Sequence, residues 1–379
     1  LALLANPVHA TPPQIADGNK LKTVGFVELV NDTKYDDRVF TVQLQGLVGK
    51  PLDYDAIEDR MHAIYGQYPL ELVTYRVLEQ DGKTGLSVKV TPPSVGTKFG
   101  EFGLNFSGNA EGQFLFNFTT GILIAPLNAS GGELRTLLTL GDEPRLTSEW
   151  YQPFAPASQY FTLIKAGYRD PIITIANSDG DILAGYDNPN VFISAKLGKA
   201  YGNWGEFGLA VILANGELNR SIGSTSFPEY PYKQREWLFG FKVDTLDSLY
   251  LPRSGLLIDF NHAASVDAWG SDDDYKQVNL DLIYAGALGK HSGFGGLRWH
   301  ETYEGTAGFQ NWYSLGGVTR FAAYQAEQLH SENYALAYLG YTYELGKVLG
   351  RSAVLGGTVE YGKLWSEALG FNISNYQTH

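Results

Sequence analysis

No cysteine occurs in this chain, methionine occurs once, and no apolar run reaches the roughly 18 residues that a membrane-spanning helix needs. Freedom from thiols suits the oxidising periplasm or outer membrane without demanding it, since cytosolic chains can also lack cysteine. Basic residues are scarce: 28 lysines and arginines face 41 acids, leaving a net charge of −13 and a pI near 5.0. Without a basic stripe there is no nucleic-acid footprint. The signatures of chemistry are missing too. There is no G-x-S-x-G nucleophile elbow, no H-E-x-x-H, no phosphate-binding glycine loop and no nicotinamide or flavin motif, so no catalytic residue, metal or cofactor is implied. The histidines, His9, His62, His262, His291, His300, His330 and His379, have no paired metal spacing and read as surface or lumen residues. The acidic runs 272–274 and 177–181 carry enough oxygens to hold a divalent cation, but read first as solvated loops.

What the chain has in quantity is glycine and aromatic residues: 44 Gly, 24 Tyr, 20 Phe and 7 Trp. From residue 97 onward these sit in strand-length segments of alternating polarity. Val278, Leu280, Leu282 and Tyr284 share one face, while Gln277, Asn279 and Asp281 share the other. The same rhythm recurs at Phe102/Leu104/Phe106, Leu134/Thr136/Leu138/Leu140, Trp237/Phe239/Phe241/Val243 and Ala335/Ala337/Leu339/Tyr341/Tyr343. When only every second residue meets lipid, mean hydropathy stays modest, here −0.17. Aromatics then collect at the membrane interfaces. The fold class is therefore mainly β: a transmembrane antiparallel β-barrel.

About thirteen strands are countable by this rhythm. They lie near 98–107, 113–124, 132–141, 146–154, 159–168, 181–198, 204–216, 234–246, 255–264, 275–286, 293–303, 333–346 and 352–363. Bacterial single-chain barrels use even numbers and leave no open edge in lipid, so a closed barrel of about sixteen strands is expected. The domain 97–379 then reads as carboxy-terminally incomplete, ending just inside a fourteenth strand.

Residues 20–93 have a different rhythm. A strand is expected at 21–30, helices at 36–46 and 53–66, and strands at 70–78 and 86–91. Asp55 and Glu58 form a capping-box-like start for the second helix, Ile57, Met61, Ile64 and Tyr65 line one face, and Gly66 stops it. Gln80-Asp81-Gly82-Lys83 reads as a hairpin turn. Residues 1–19 are a linker or the remnant of a signal peptide, with Val8 and Ala10 as small residues before a cut.

This β-α-α-β-β order, with Val48-Gly49-Lys50-Pro51-Leu52-Asp53 between its helices, resembles a polypeptide-transport-associated (POTRA) domain. Asp244 and Asp247, followed by Pro252 and Gly255, resemble a turn motif of the BamA-like outer-membrane insertase and translocase superfamily. Gly316, Gly317, Arg320, Phe321, Ala322, Ala323 and Tyr324 follow the eleventh counted strand, where that superfamily has an inward loop with a V-R-G-F/Y motif. Its arginine pairs with an acid on strand thirteen, in a D/E-x-G pattern that Glu360 and Gly362 match. Ala322 and Ala323 replace the arginine and glycine. Patatin-like autotransporters of the superfamily also lack the arginine, and that subfamily fits best. The early hairpins around Asn128–Arg135 and Glu149–Phe154 look similar to theirs. A two-residue offset preserves the face of a strand, so Arg320 is expected to replace the lost arginine by pairing with Glu360.

The resemblance implies an outer-membrane translocator that exports or anchors an attached phospholipase, its POTRA domain in the periplasm. Partners would be outer-membrane lipids, the attached or transported polypeptide and periplasmic chaperones; a homo-oligomer stays open. A stand-alone insertase and a passive porin are the alternatives.

Overall fold

The computed structural model describes residues 22–108, 114–176, 182–249, 251–317, 319–322, 324, 329–348, 351–366 and 371–378. The amino-terminal linker, the acidic run at 177–181 and Ala323 lie outside the described residues. The chain divides into two compact units: residues 1–104 with 118–138 and 148–163, and the remainder.

In the first unit, β1 (Val24–Asn31), α1 (Arg38–Gln45), α2 (Tyr54–Gln67), β2 (Leu72–Gln80) and β3 (Lys83–Thr91) follow the order read from the sequence. The sheet order is β1-β3-β2, with β1 parallel and β2 antiparallel to β3. A parallel pair needs a crossover, and the two helices provide it. Val39, Phe40 and Leu44 of α1 and Ile57, Met61 and Ile64 of α2 are buried with Val73, Leu86, Val88 and Val90 of the sheet. Asp81 (φ 51°) and Gly82 (φ 71°) both sit in the left-handed region, as the two-residue turn joining β2 to β3 requires. The cap of α2 differs from expectation. Asp53, rather than Asp55, accepts the Asp55 and Ala56 amides at 3.0 and 3.3 Å, because its backbone is still extended (φ −108°, ψ 113°). Gly66 is not a stop; the helix runs on to Gln67.

The large sheet begins with β4 (Lys98–Gly108), β5 (Phe114–Ile124), β6 (Glu133–Gly141), β7 (Arg145–Pro153) and β8 (Tyr160–Arg169). There follow β9 (Ile172–Ala176), β10 (Ile182–Asp187), β11 (Asn190–Tyr201), β12 (Gly205–Gly223) and β13 (Tyr230–Asp244). Next come β14 (Gly255–Ser265), β15 (Asp274–Leu288), β16 (His291–Thr306), β17 (Tyr313–Leu315) and β18 (Leu329–Ser331). The last are β19 (Asn333–Val348), β20 (Arg351–Ser366) and β21 (Phe371–Thr378). Fourteen of them form one path, β4 to β8, β11 to β16 and β19 to β21, which is open between β4 and β21 among the described residues.

One counted strand is corrected. The stretch 181–198 is two elements, because Asn188 and Pro189 break the run and Pro189 has no N–H to give a ladder. β10 leaves the path, pairing with β9 and with the end of β12 at 219–223. Along the path, β13 and β14 are still the eighth and ninth strands, β16 the eleventh and β20 the thirteenth.

One face of the sheet is apolar and exposed: Phe207, Leu209, Val211 and Leu213 on β12, Leu339 and Tyr341 on β19, Leu355, Val359 and Tyr361 on β20. A surface of this extent in water would drive aggregation; against hydrocarbon it is satisfied. On β19 the opposite face is apolar too, since Tyr334, Leu336 and Tyr338 are buried there. The reason lies in the loop between β17 and β18.

Candidate functional site: a loop held on the inner wall

The connection from β16 to β19 carries a 3-10 turn at Phe309–Asn311 and the short pair β17–β18. At its tip the chain turns twice. Gly316 (φ 120°) and Gly317 (φ 88°) enter conformations that other residues resist, and Thr319 (φ 60°) and Phe321 (φ 68°) follow with positive φ despite their side chains. Four backbone bonds close the turns: Gly316 N to Arg320 O (2.7 Å), Gly317 N to Tyr324 O (2.8 Å), Arg320 N to Gly317 O (3.0 Å) and Tyr324 N to Phe321 O (3.0 Å). Positive φ at two non-glycine residues persists only where the surroundings over-determine it. Here three contacts with the wall do so.

Phe321 is 3% exposed and packs with Leu315, Tyr334, Leu336 and Leu364, and its ring occupies the space above Gly362. A Cβ on Gly362 would lie 2.4 Å from that ring, so the glycine of the Glu360/Gly362 pair is a seat for the loop's aromatic residue. Glu360, 2% exposed, accepts the Ala322 amide on Oε2 at 2.9 Å. From β16, Arg298 donates through Nε to the Thr319 carbonyl at 3.0 Å. Its Nη1 lies 2.9 Å from Asp281 of β15, which also meets His300 Nε2 at 3.1 Å. His300 stacks on Tyr334, ring centroids 4.5 Å apart.

The expected ion pair between Arg320 and Glu360 does not form. Arg320 is exposed, and Glu360 receives a backbone N–H instead. The offset argument holds on an extended strand, but positive φ at Thr319 and Phe321 turns the segment and points residue 320 away. Tyr324 is half-buried against the Phe321 cluster. Sequence reading missed Arg298, Asp281 and His300. Asp281 was placed on a wet face and His300 read as a surface or lumen residue, but only the register, Asp281 opposite Arg298, makes the three a cluster.

The residues of the turn motif lie between β13 and β14. Asp247 Oδ1 accepts the Arg253 and Ser254 amides at 2.8 and 3.1 Å, and Asp244 Oδ1 accepts the Leu246 amide at 3.2 Å. The Arg253 amide foremost holds the Asp247 carboxyl below its ordinary pKa. Gly255 has φ 108°, and a Cβ there would lie 2.1 Å from the Thr245 oxygen. Pro252 is buried. Arg253 spans the neighbouring hairpins, donating to the Gly289 carbonyl at 2.6 Å and pairing with Glu344 at 2.8 Å.

At the opposite strand ends, Ile173, Ile175, Ala184, Tyr186, Leu218, Tyr232 and Trp312 form a small core that fastens the β9–β10 hairpin. Asp273 accepts from Gly308 N (3.3 Å) and Gln310 Nε2 (2.7 Å), and Asp272 from Lys233 N (2.7 Å), so these two of the three acids at 272–274 tie loops together. His330 Nδ1 lies 3.0 Å from the Thr174 carbonyl, and burial pushes the imidazole down to about 4.

Several solved structures have a similar overall fold, among them the following three. BamA from Haemophilus ducreyi, lacking POTRA domains 1–3, superposes with a TM-score of 0.63 at 14% identity, over 93% of this chain and 74% of that one. CdiB from Escherichia coli gives 0.53 at 10% identity over 94% and 73%. CdiB from Acinetobacter baumannii gives 0.50 at 12% identity over 92% and 68%. No family model and no curated protein sequence matches. The chain has the fold of the BamA and CdiB structures.

Proposed function

We propose that this chain is an outer-membrane translocator or insertase barrel. The observation that carries the reading is the loop tip fixed on the inner wall at three points, Phe321 on Gly362, Ala322 on Glu360 and Thr319 on Arg298, in a sheet whose other face is apolar. A loop that costs positive φ at two residues to sit inside a sheet does not serve an unobstructed channel. The amino-terminal β-α-α-β-β domain acts as a POTRA domain in the periplasm, receiving unfolded chain, and the barrel provides the passage or a weak seam. Outer-membrane lipids, periplasmic chaperones and the moved polypeptide are its partners.

Within that class, the patatin-like autotransporters fit best. Phe321 and Tyr324 stand where that subfamily keeps its loop motif without the arginine. In that case the barrel anchors or exports an attached phospholipase, and the chain itself performs no catalysis. The complete reading frame tests this: about 300 residues with a G-x-S-x-G elbow ahead of Leu1 would establish it, and their absence would leave the stand-alone insertase.

Planar-bilayer conductance separates the translocator from a passive porin. Deleting residues 316–324, or replacing Gly362 with Leu, is expected to raise the mean conductance and its fluctuation. Conductance unchanged in both variants would favour the porin.

A further inference from the structure

A cavity of about 500 Å³ lies on the inner side of the second unit, away from the Phe321 seat. The inner faces of β15, β16, β19 and β20 wall it with Ile283, Phe294, Tyr338 and Val354, and the β13–β14 turn closes one side with Leu249 and Leu251. Thr319 of the loop tip and Arg298 line it as well. Its size lies within the range of small-molecule sites, about 300–1,000 Å³.

Two features point to a ligand. Tyr338 is 3% exposed, and its hydroxyl lies beside Arg298 and Thr319 at the cavity without a hydrogen bond of full geometry. Beside it lies Arg298, the charged residue among the described lining residues, so buried donors gather at one end of an otherwise apolar chamber. Leu249 and Leu251 add to the apolar side: they are 71% and 46% exposed although they flank a cavity wall, so apolar surface stands ready to be covered.

We propose that this cavity binds one long-chain fatty acid, its carboxylate accepting from Tyr338 Oη–H and the Arg298 guanidinium and its chain lying against Ile283, Phe294, Val354, Leu249 and Leu251. Asp281 already balances the charge of Arg298. The head is therefore held by directed donors, and a carboxylate, which accepts at both oxygens, uses them better than an ester or an alkane. The chain replaces water over the apolar walls. The inference does not depend on the translocator reading.

The test is titration of the intact protein in non-ionic detergent with carboxyl-labelled palmitate, followed by carbon NMR and native mass spectrometry. Saturable 1:1 binding is expected, about tenfold weaker in Tyr338→Phe, as loss of one hydrogen bond to a charged group implies. Tyr338→Phe keeps the ring in place, and its melting temperature, measured alongside, should show that the variant is still folded. Val354→Trp, which fills the chamber, should abolish binding, and Leu355→Trp, on the outward face, should leave it intact. Methyl palmitate should bind at least about tenfold more weakly than palmitate. No saturable binding, equal binding to Val354→Trp, or equal affinity for the ester would overturn the proposal.

Discussion

Gly362 shows how a residue without a side chain can carry a site. Its missing Cβ is the space that the Phe321 ring fills, so Gly362→Ala places an atom where the ring stands. The variant is expected to lose about 1–3 kcal/mol, as overpacking does, measured by urea titration of the detergent-solubilised protein. Glu360→Ala leaves the Ala322 amide without its acceptor and should cost about 1–3 kcal/mol, while Glu360→Gln, which keeps a carbonyl oxygen, should cost less. Arg320→Ala should fall within about ±0.5 kcal/mol, because the side chain is exposed. A loss for Arg320→Ala equal to that of Glu360→Ala would restore the ion pair that the geometry denies. The resemblance to the superfamily's inward-loop motif grouped Glu360, Gly362 and Phe321, and the strand count placed them. It could not assign the roles, since whether a charge meets a side chain or a main-chain amide depends on the φ angles of the loop.

Elements were legible where their period was long and unbroken. β15 and β19 alternate over whole strands, so their existence and order were readable, and the ordinal places of the turn motif, loop and Glu360 followed. β9, β17 and β18 are five and three residues long, too short for a period to show. β10 and β11 read as one strand because the apolar pattern runs up to Tyr186 and resumes at Val191; the available signal was Pro189 between them. The β9–β10 hairpin has a pH dependence of its own. The His330 imidazole is pushed down to about 4 by burial against an ordinary value of 6.5, so the opened state takes up the proton first as pH falls. Stability of this contact is full above about pH 6.5, falls by about 1.4 kcal/mol per unit below it and levels off near 4. Hydrogen exchange in β9 and β18, corrected for the intrinsic rate, should accelerate between pH 7 and 5 in the native protein and stay flat in His330→Gln. At the other strand ends, Gly255→Ala forces a Cβ against the Thr245 oxygen and should reduce the yield of refolded protein, read by heat-modifiable gel mobility.

At the scale of the whole molecule, two features act together: a sheet greasy on one face and a loop fastened to the other. The apolar face commits the sheet to lipid, and on β19 the second apolar face exists only because Phe321 and its neighbours cover it. That double burial could not be read from alternation, which assigns one wet face to every strand. The most direct measurement is the folding of a urea-unfolded outer-membrane β-barrel substrate into liposomes that contain this protein, followed by protease resistance. The account expects faster acquisition of resistance than in empty liposomes, with the gain lost in Glu360→Ala and Gly362→Leu proteins that still fold. A rate equal to that of empty liposomes, or an acceleration untouched by both variants, would contradict it.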